Sequence, residues 1–153
     1  MKKSILAVAM TLLGFTMNAQ ELMVDKTDEF TGSRTKLTND YKIAKGTSTL
    51  YASVGHVNDS YAIYIKSNLD LGCAGARDNY IIFLFSDGTN LKIENDVNDI
   101  DCSDEARSIY LLDPSDFEGK TVSKIRLRQS KLYDDCITEA GVYTIQELIN
   151  AVE

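Results

Sequence analysis

Apolar and polar residues alternate with a period of two along much of this chain, and that period predicts strands. From Thr49 to Val57, the positions Leu50, Ala52 and Val54 fall on one face. Asn58-Asp59 supplies turn chemistry, and Tyr61, Ile63 and Ile65 then alternate again. The two runs predict a hairpin. Residues 80–85 are apolar at every position, as expected of a strand covered on both faces. Asp87-Gly88 follows, a pair favoured in two-residue turns whose central residues both need positive φ. Leu91 and Ile93 alternate with polar residues on the return strand, which suits an outer position with one wet face.

The second half continues in the same way. Ser108 to Leu112 reads as a strand, and residues 113–119 as one helical turn. Asp113 can cap that turn, Pro114 fits its first position and Gly119 can stop it. Leu112 and Phe117 are spaced for a hydrophobic staple. Val122, Ile125 and Leu127 mark the buried side of a further strand whose outer side carries Lys124, Arg126 and Arg128. The phase slips between Val122 and Ile125, so a bulge or a late strand start is expected.

Helical spacing enters only at the end. Thr144 and Glu147 form a capping box, with Tyr143 and Leu148 as its staple. Ile145, Leu148, Ile149 and Val152 recur on one helical face. Residues 20–46 are polar with scattered apolar positions and predict an irregular arm with one or two short strands. Strands followed by a terminal helix imply an α+β fold. The sheet is expected to be mostly antiparallel, as a sandwich or barrel-like, with no parallel βαβ unit.

The first 19 residues have a different character. Met1-Lys2-Lys3 is a short basic start, and residues 5–15 form an uncharged, mostly apolar run. A membrane span needs about 20 such residues, so this run fits the core of a secretory signal peptide instead. Cleavage is expected between Ala19 and Gln20, although Met17 is larger than the residue usual at that distance. No Cys sits at the end of the run, so lipid attachment is not expected, and no later apolar segment is long enough to span a membrane. The domain is then residues 20–153, and the destination is the periplasm or the extracellular space.

Charge narrows the partners. Lys2 and Lys3 are the only charged residues before Glu21, so residues 20–153 hold 14 basic and 23 acidic residues, a net charge of −9. Such a surface repels phosphate backbones and anionic headgroups. Nucleic acid is not an expected partner; a protein or envelope component is. Three cysteines in an oxidising compartment predict one disulfide and one leftover thiol. Of the three pairings, Cys73–Cys102 is favoured because these residues flank the strong hairpin signal. Cys136 would then be free, buried or joined to another chain.

Candidate chemistry is sparse. His56 is the only histidine, and no protease signature surrounds it or the cysteines. There is no G-x-S-x-G elbow, no phosphate-cradling G-x-x-x-x-G-K loop, and no C-x-x-C or H-x-x-x-H pair for zinc. From Glu94 to Glu105 six carboxylates occur with no base among them. Hard oxygen ligands suit Ca²⁺, which makes Asp96, Asp99, Asp101 and Asp104 weak calcium candidates. The EF-hand register fails, because Asp104 stands where glycine is needed and Tyr110 where glutamate is needed. A solvated acidic loop is the preferred reading, and no cofactor is expected. Asp134-Asp135 and Asp113 with Asp116 are acid pairs, but nearness in sequence says nothing about the separation in space that glycosidase chemistry requires.

Three segments carry a resemblance. Asp28-Glu29-Phe30-Thr31-Gly32, Phe85-Ser86-Asp87-Gly88 and Lys124-Ile125-Arg126-Leu127 resemble a group of small exported bacterial proteins of unknown function. The resemblance spans most of residues 20–153, is weakest from Tyr133 to Tyr143, and implies a strand-rich domain in the envelope. It brings no reaction and no site residue. The expected function is a non-enzymatic binding or interaction module. The alternative is an exported hydrolase with a site built from dispersed carboxylates and His56.

Overall fold

In this computed structural model, the described residues are 20–47, 50–69, 71, 73, 78–95, 102, 107–130 and 133–153. The proposed signal segment and the calcium candidates Asp96, Asp99, Asp101 and Asp104 lie outside them.

The alternating segments form strands paired antiparallel in two sheets. The first sheet contains β1 (Leu22–Thr27), β2 (Arg34–Thr38), β3 (Tyr41–Lys42), β4 (Leu50–Val57), β5 (Ser60–Ser67) and β8 (Arg107–Leu112). Its order is β1-β2-β4-β5-β8, and β3 shares one side of β4 with β2. The second sheet has the order β10-β9-β6-β7, from β6 (Tyr80–Phe85), β7 (Asn90–Glu94), β9 (Val122–Arg128) and β10 (Cys136–Glu139). A 3-10 turn at Pro114–Asp116 precedes β9, and α1 (Ile145–Val152) ends the chain.

Inward alternation builds the core. Leu50, Ala52 and Val54 of β4 stand beside Ile65 and Ile63 of β5, and Tyr110 of β8 pairs with Ile63. From the second sheet come Ile81, Phe83, Phe85, Ile125 and Leu127. Phe117, just after the 3-10 turn, sets its ring edge-on to Phe83 at 5.2 Å and to Phe85 at 6.0 Å. Ile145, Leu148, Ile149 and Val152 place the apolar stripe of α1 in the same cluster. The capping box at Thr144 and Glu147 is formed as the spacing predicts.

The sheets are tied at one corner. Ala44 bridges Ala140, Lys45 N donates to Glu139 O at 2.9 Å, and Gly141 N donates to Ile43 O at 2.7 Å. Gly141 allows this close approach, because an added Cβ would sit 3.0 Å from Ala44 O and 3.1 Å from Ile43 C and would press on that backbone. Elsewhere a polar group of four joins the sheets inside the core. Tyr110 Oη donates to Asn79 Oδ1, while Asn79 Nδ2 and Gln129 Nε2 donate to Ser108 Oγ at 3.0 and 3.2 Å. All four residues are buried, and burial pushes the Tyr110 phenol well above its ordinary range.

Several expectations need correction. Residues 20–46 are not an irregular arm; they hold β1, β2 and β3. Apolar residues spaced by other than two hide those strands, and β1 carries a register shift between Leu22 and Val24. The Asp87-Gly88 hairpin does not have a two-residue turn: Phe85 N donates to Thr89 O at 2.9 Å, so three residues, Ser86 to Gly88, form the loop, and of these only Gly88 has positive φ (86°). Asp87 Oδ1 instead accepts from Thr89 N at 2.8 Å. β6 is buried on one face only: Ile81, Phe83 and Phe85 point in, while Tyr80, Ile82 and Leu84 are half-exposed. β10 was not expected at all. The slip around Val122 is a bulge, where Phe85 pairs with Val122 and Leu84 with Lys124.

Candidate functional site

The polar residues singled out by sequence take structural positions. His56 lies near the end of β4, half-buried, with its ring stacked on Tyr61 at 4.1 Å between centroids. Its Nδ1 is 3.0 Å from Val152 O at the last turn of α1. With the proton on Nδ1, the imidazole donates to that carbonyl and holds the helix end against the sheet. A hollow beside it is lined by Arg34, Lys36, Asn58, Asp59 and Glu153. The nearby acids raise the Tyr61 phenol pKa, after burial as the larger cause.

The acid pairs are likewise committed. Asp113 accepts from Ser115 N at 2.9 Å and caps the 3-10 turn, with Asp116 inside that turn. Asp135 takes Arg128 Nε at 2.5 Å and lies 3.9 Å from Arg126 Nε. Asp134 is exposed. Cys73 and Cys102 are joined by a disulfide, and Cys136 is a buried free thiol whose pKa is raised by burial. A raised pKa means little thiolate, so Cys136 is a poor nucleophile.

Among the described residues, the outward face of the six-stranded sheet stands out for its apolar strand positions. Register fixes its composition. Val24 pairs with Leu37, Leu37 with Gly55, Gly55 with Ala62, and Ala62 with Leu111. These five residues form one row across β1, β2, β4, β5 and β8. At about 4.8 Å between strands, the row is roughly 19 Å long. Ser53, Tyr64 and Ile109 form the next row, and Val57 lies on the other side of Gly55. Leu111 is 60% exposed and Val57 42%, while Val24, Leu37, Ala62, Tyr64 and Ile109 are half-buried.

Gly55 sets the shape of this face. A Cβ there would meet Tyr64 Cε2 at 3.1 Å and Leu37 Cδ1 at 3.5 Å. The missing side chain lets the Tyr64 ring lie down over the strand, so the face is shallow and apolar. A glycine inside a strand commonly marks such a close approach.

Cations edge this face. Lys26 stands in the row of Val57, and Lys42, Lys66 and Arg107 stand in the row of Tyr51. Asp40, between β2 and β3, takes both Arg107 Nη1 and Nη2, at 2.7 and 2.8 Å, and Arg107 also reaches Ser53 Oγ at 3.4 Å. No carboxylate occupies a strand position on this face.

The outward face of the four-stranded sheet differs. Ile82, Leu84 and Ile137 border a shallow hollow there. Tyr80 lies between Lys92 and Arg128, at 4.7 and 5.4 Å from its ring centre. Its cations are paired as Arg107 is on the first sheet: Lys92 with Glu94, and Arg128 and Arg126 with Asp135.

The hairpin pattern held part of this signal. The positions opposite Leu50, Ala52 and Val54 are Tyr51, Ser53, Gly55 and Val57, which are not the charged residues of a wet face. The row itself depends on pairing between strands far apart in sequence.

No known protein family, curated protein or solved structure matches the chain.

Proposed function

We propose that this protein is a non-enzymatic binding module, exported to the periplasm or beyond, that engages a protein or another envelope component. The observation that carries this reading is the apolar row Val24–Leu37–Gly55–Ala62–Leu111 on the outward face of the six-stranded sheet. Contiguous apolar surface of this kind mostly serves association. Export is supported by the basic-then-apolar start of the chain and by the Cys73–Cys102 disulfide, which persists in oxidising compartments. The likeness to small exported bacterial proteins belongs to the same reading. The two sheets, bridged at Ala44 and Ala140, are read as a sandwich or barrel-like scaffold that carries this face.

The alternative, an exported hydrolase, rests on His56, whose Nδ1 is held by the Val152 carbonyl and whose ring borders the hollow with Asp59 and Glu153; among the described residues, no hydroxyl or thiol side chain lines that hollow. The test is a native, non-reducing mass spectrum of the untagged protein from its own host. The expected species begins at Gln20, is two hydrogens light and carries a second mass. A chain retaining residues 1–19 contradicts export; a bare species at every concentration contradicts a stable partner.

A further inference from the structure

We infer that Gln20, once it becomes the first residue, closes on itself to a pyroglutamyl lactam, an inference that rests on the export reading above and its cleavage after Ala19. Cleavage turns the Gln20 peptide nitrogen into an α-amine. Glutamine places its side-chain amide carbon within five-membered-ring reach of that amine. The uncharged amine attacks Cδ, the Cδ–Nε2 bond breaks, and a proton passes from the attacking nitrogen to the leaving one. One ammonia departs, nothing is oxidised or reduced, and no co-reactant is consumed. An α-amino group titrates near about 8, so part of it is uncharged and nucleophilic at neutral pH.

The structure favours the closed form at this position. β1 begins at Leu22, so Gln20 stands just ahead of a paired strand. Glu21 is fixed on two sides: its N–H donates to Tyr41 Oη at 2.6 Å, and its carbonyl accepts from Asn39 N at 3.1 Å. Gln20 is thereby held against the body of the protein, and it is half-buried. An α-ammonium there loses part of its water, whereas the lactam has no charge to desolvate. The Gln20 carboxamide makes no hydrogen bond among the described residues, so closure sacrifices none of those contacts. The peptide bond between Gln20 and Glu21 lies outside the ring, and the Tyr41 bond survives. The product is a chain start without a free α-amine, the group that aminopeptidases grip, which suits a protein working outside the cell.

The test is tandem mass spectrometry of the tryptic peptide ending at Lys26, from untagged protein taken from its own host. One sample is quenched in acid at once, and another is stored at neutral pH. Gln20→Asn is the control, because the same attack there would have to close a four-membered ring. The expected wild-type peptide begins at residue 20, is lighter by one ammonia in the first sample and resists aminopeptidase. The Gln20→Asn peptide should begin at the same position with its amine free. A wild-type peptide that begins at Gln20 with a free amine overturns the inference and leaves export standing. A lactam that appears only on storage overturns it too, since closure is then a product of handling. Loss of ammonia from the Gln20→Asn peptide overturns the ring assignment. A start at another nearby residue overturns the inference together with its cleavage site, and a chain retaining residues 1–19 overturns the export reading as well.

Discussion

Single residues decide two features of this protein, the shape of its exposed face and the order of its buried polar group. At Gly55 the nearest obstacle to a side chain is the Tyr64 ring, which is half-exposed and free to swing outward. Gly55→Ala should therefore change stability by no more than about 1 kcal/mol while displacing Tyr64. Thermal melts and the Tyr64 ring resonances check this, and any ligand of the face should bind the variant more weakly. Ser108 is different, because its Oγ accepts from both Asn79 and Gln129 with no solvent nearby. Ser108→Ala leaves two buried donors unpaired and should cost about 1–3 kcal/mol or more, read from urea denaturation. A loss well below that range would mean that water or a rearranged amide satisfies them.

Among the elements, the terminal helix and the capped turn at Pro114–Asp116 were the most legible in sequence. The Thr144 hydroxyl accepts from Glu147 N at 3.2 Å, so Thr144→Ala should cost about 1 kcal/mol of stability, with circular dichroism melts as the readout. Turn carboxylates make stability fall with acid. Hydrogen bonds hold three turn carboxylates below the ordinary range: Asp87 by the Thr89 side chain and then its N–H, Asp113 by the Ser115 side chain and then its N–H, and Asp28 by the Thr31 N–H and side chain and the Phe30 N–H. A folded pKa below the unfolded one stabilises fully above the unfolded value, near 4, and the contribution disappears as pH falls through the folded value. Stability should thus be flat from neutrality to about pH 5 and decline below pH 4. Asp87→Asn should make that decline shallower, and an unchanged slope would contradict the assignment.

Local chemistry explains what was legible. Capping boxes and turn residues act within a few positions, and the β4–β5 hairpin follows from alternation on both sides of Asn58-Asp59, where Asn58 has φ 53°. β10 was hidden because only four residues pair, and Ile137 is 58% exposed on its outer side. β6 misled for a related reason. Its outward residues Tyr80, Ile82 and Leu84 are apolar without being covered by another layer, since the aliphatic stems and charges of neighbouring strands shield them. The candidate face was legible only as one odd strand with a glycine in it. Its row needs the register of four separate ladders.

At the scale of the molecule, two sheets and one helix enclose a common core, and the disulfide closes a segment between them. Cys73 and Cys102 are 29 residues apart, so the bond removes about 3–4 kcal/mol of loop-closure entropy from the unfolded chain. Reduction should lower stability by that order, measured by denaturation with and without reductant. Cys136 should stay unreactive in the folded protein, since it is buried on β10. The central claim is that this rigid body exists to present the outward face of its six-stranded sheet. Photo-crosslinking in the native host tests it most directly, with one photoreactive residue at a time at Leu111, Val57 or Ile137. Leu111 and Val57 should give the same discrete adduct, while Ile137, 58% exposed on the four-stranded sheet, should give none. An adduct at Ile137 but not at Leu111 or Val57, or no adduct at any position, would contradict it.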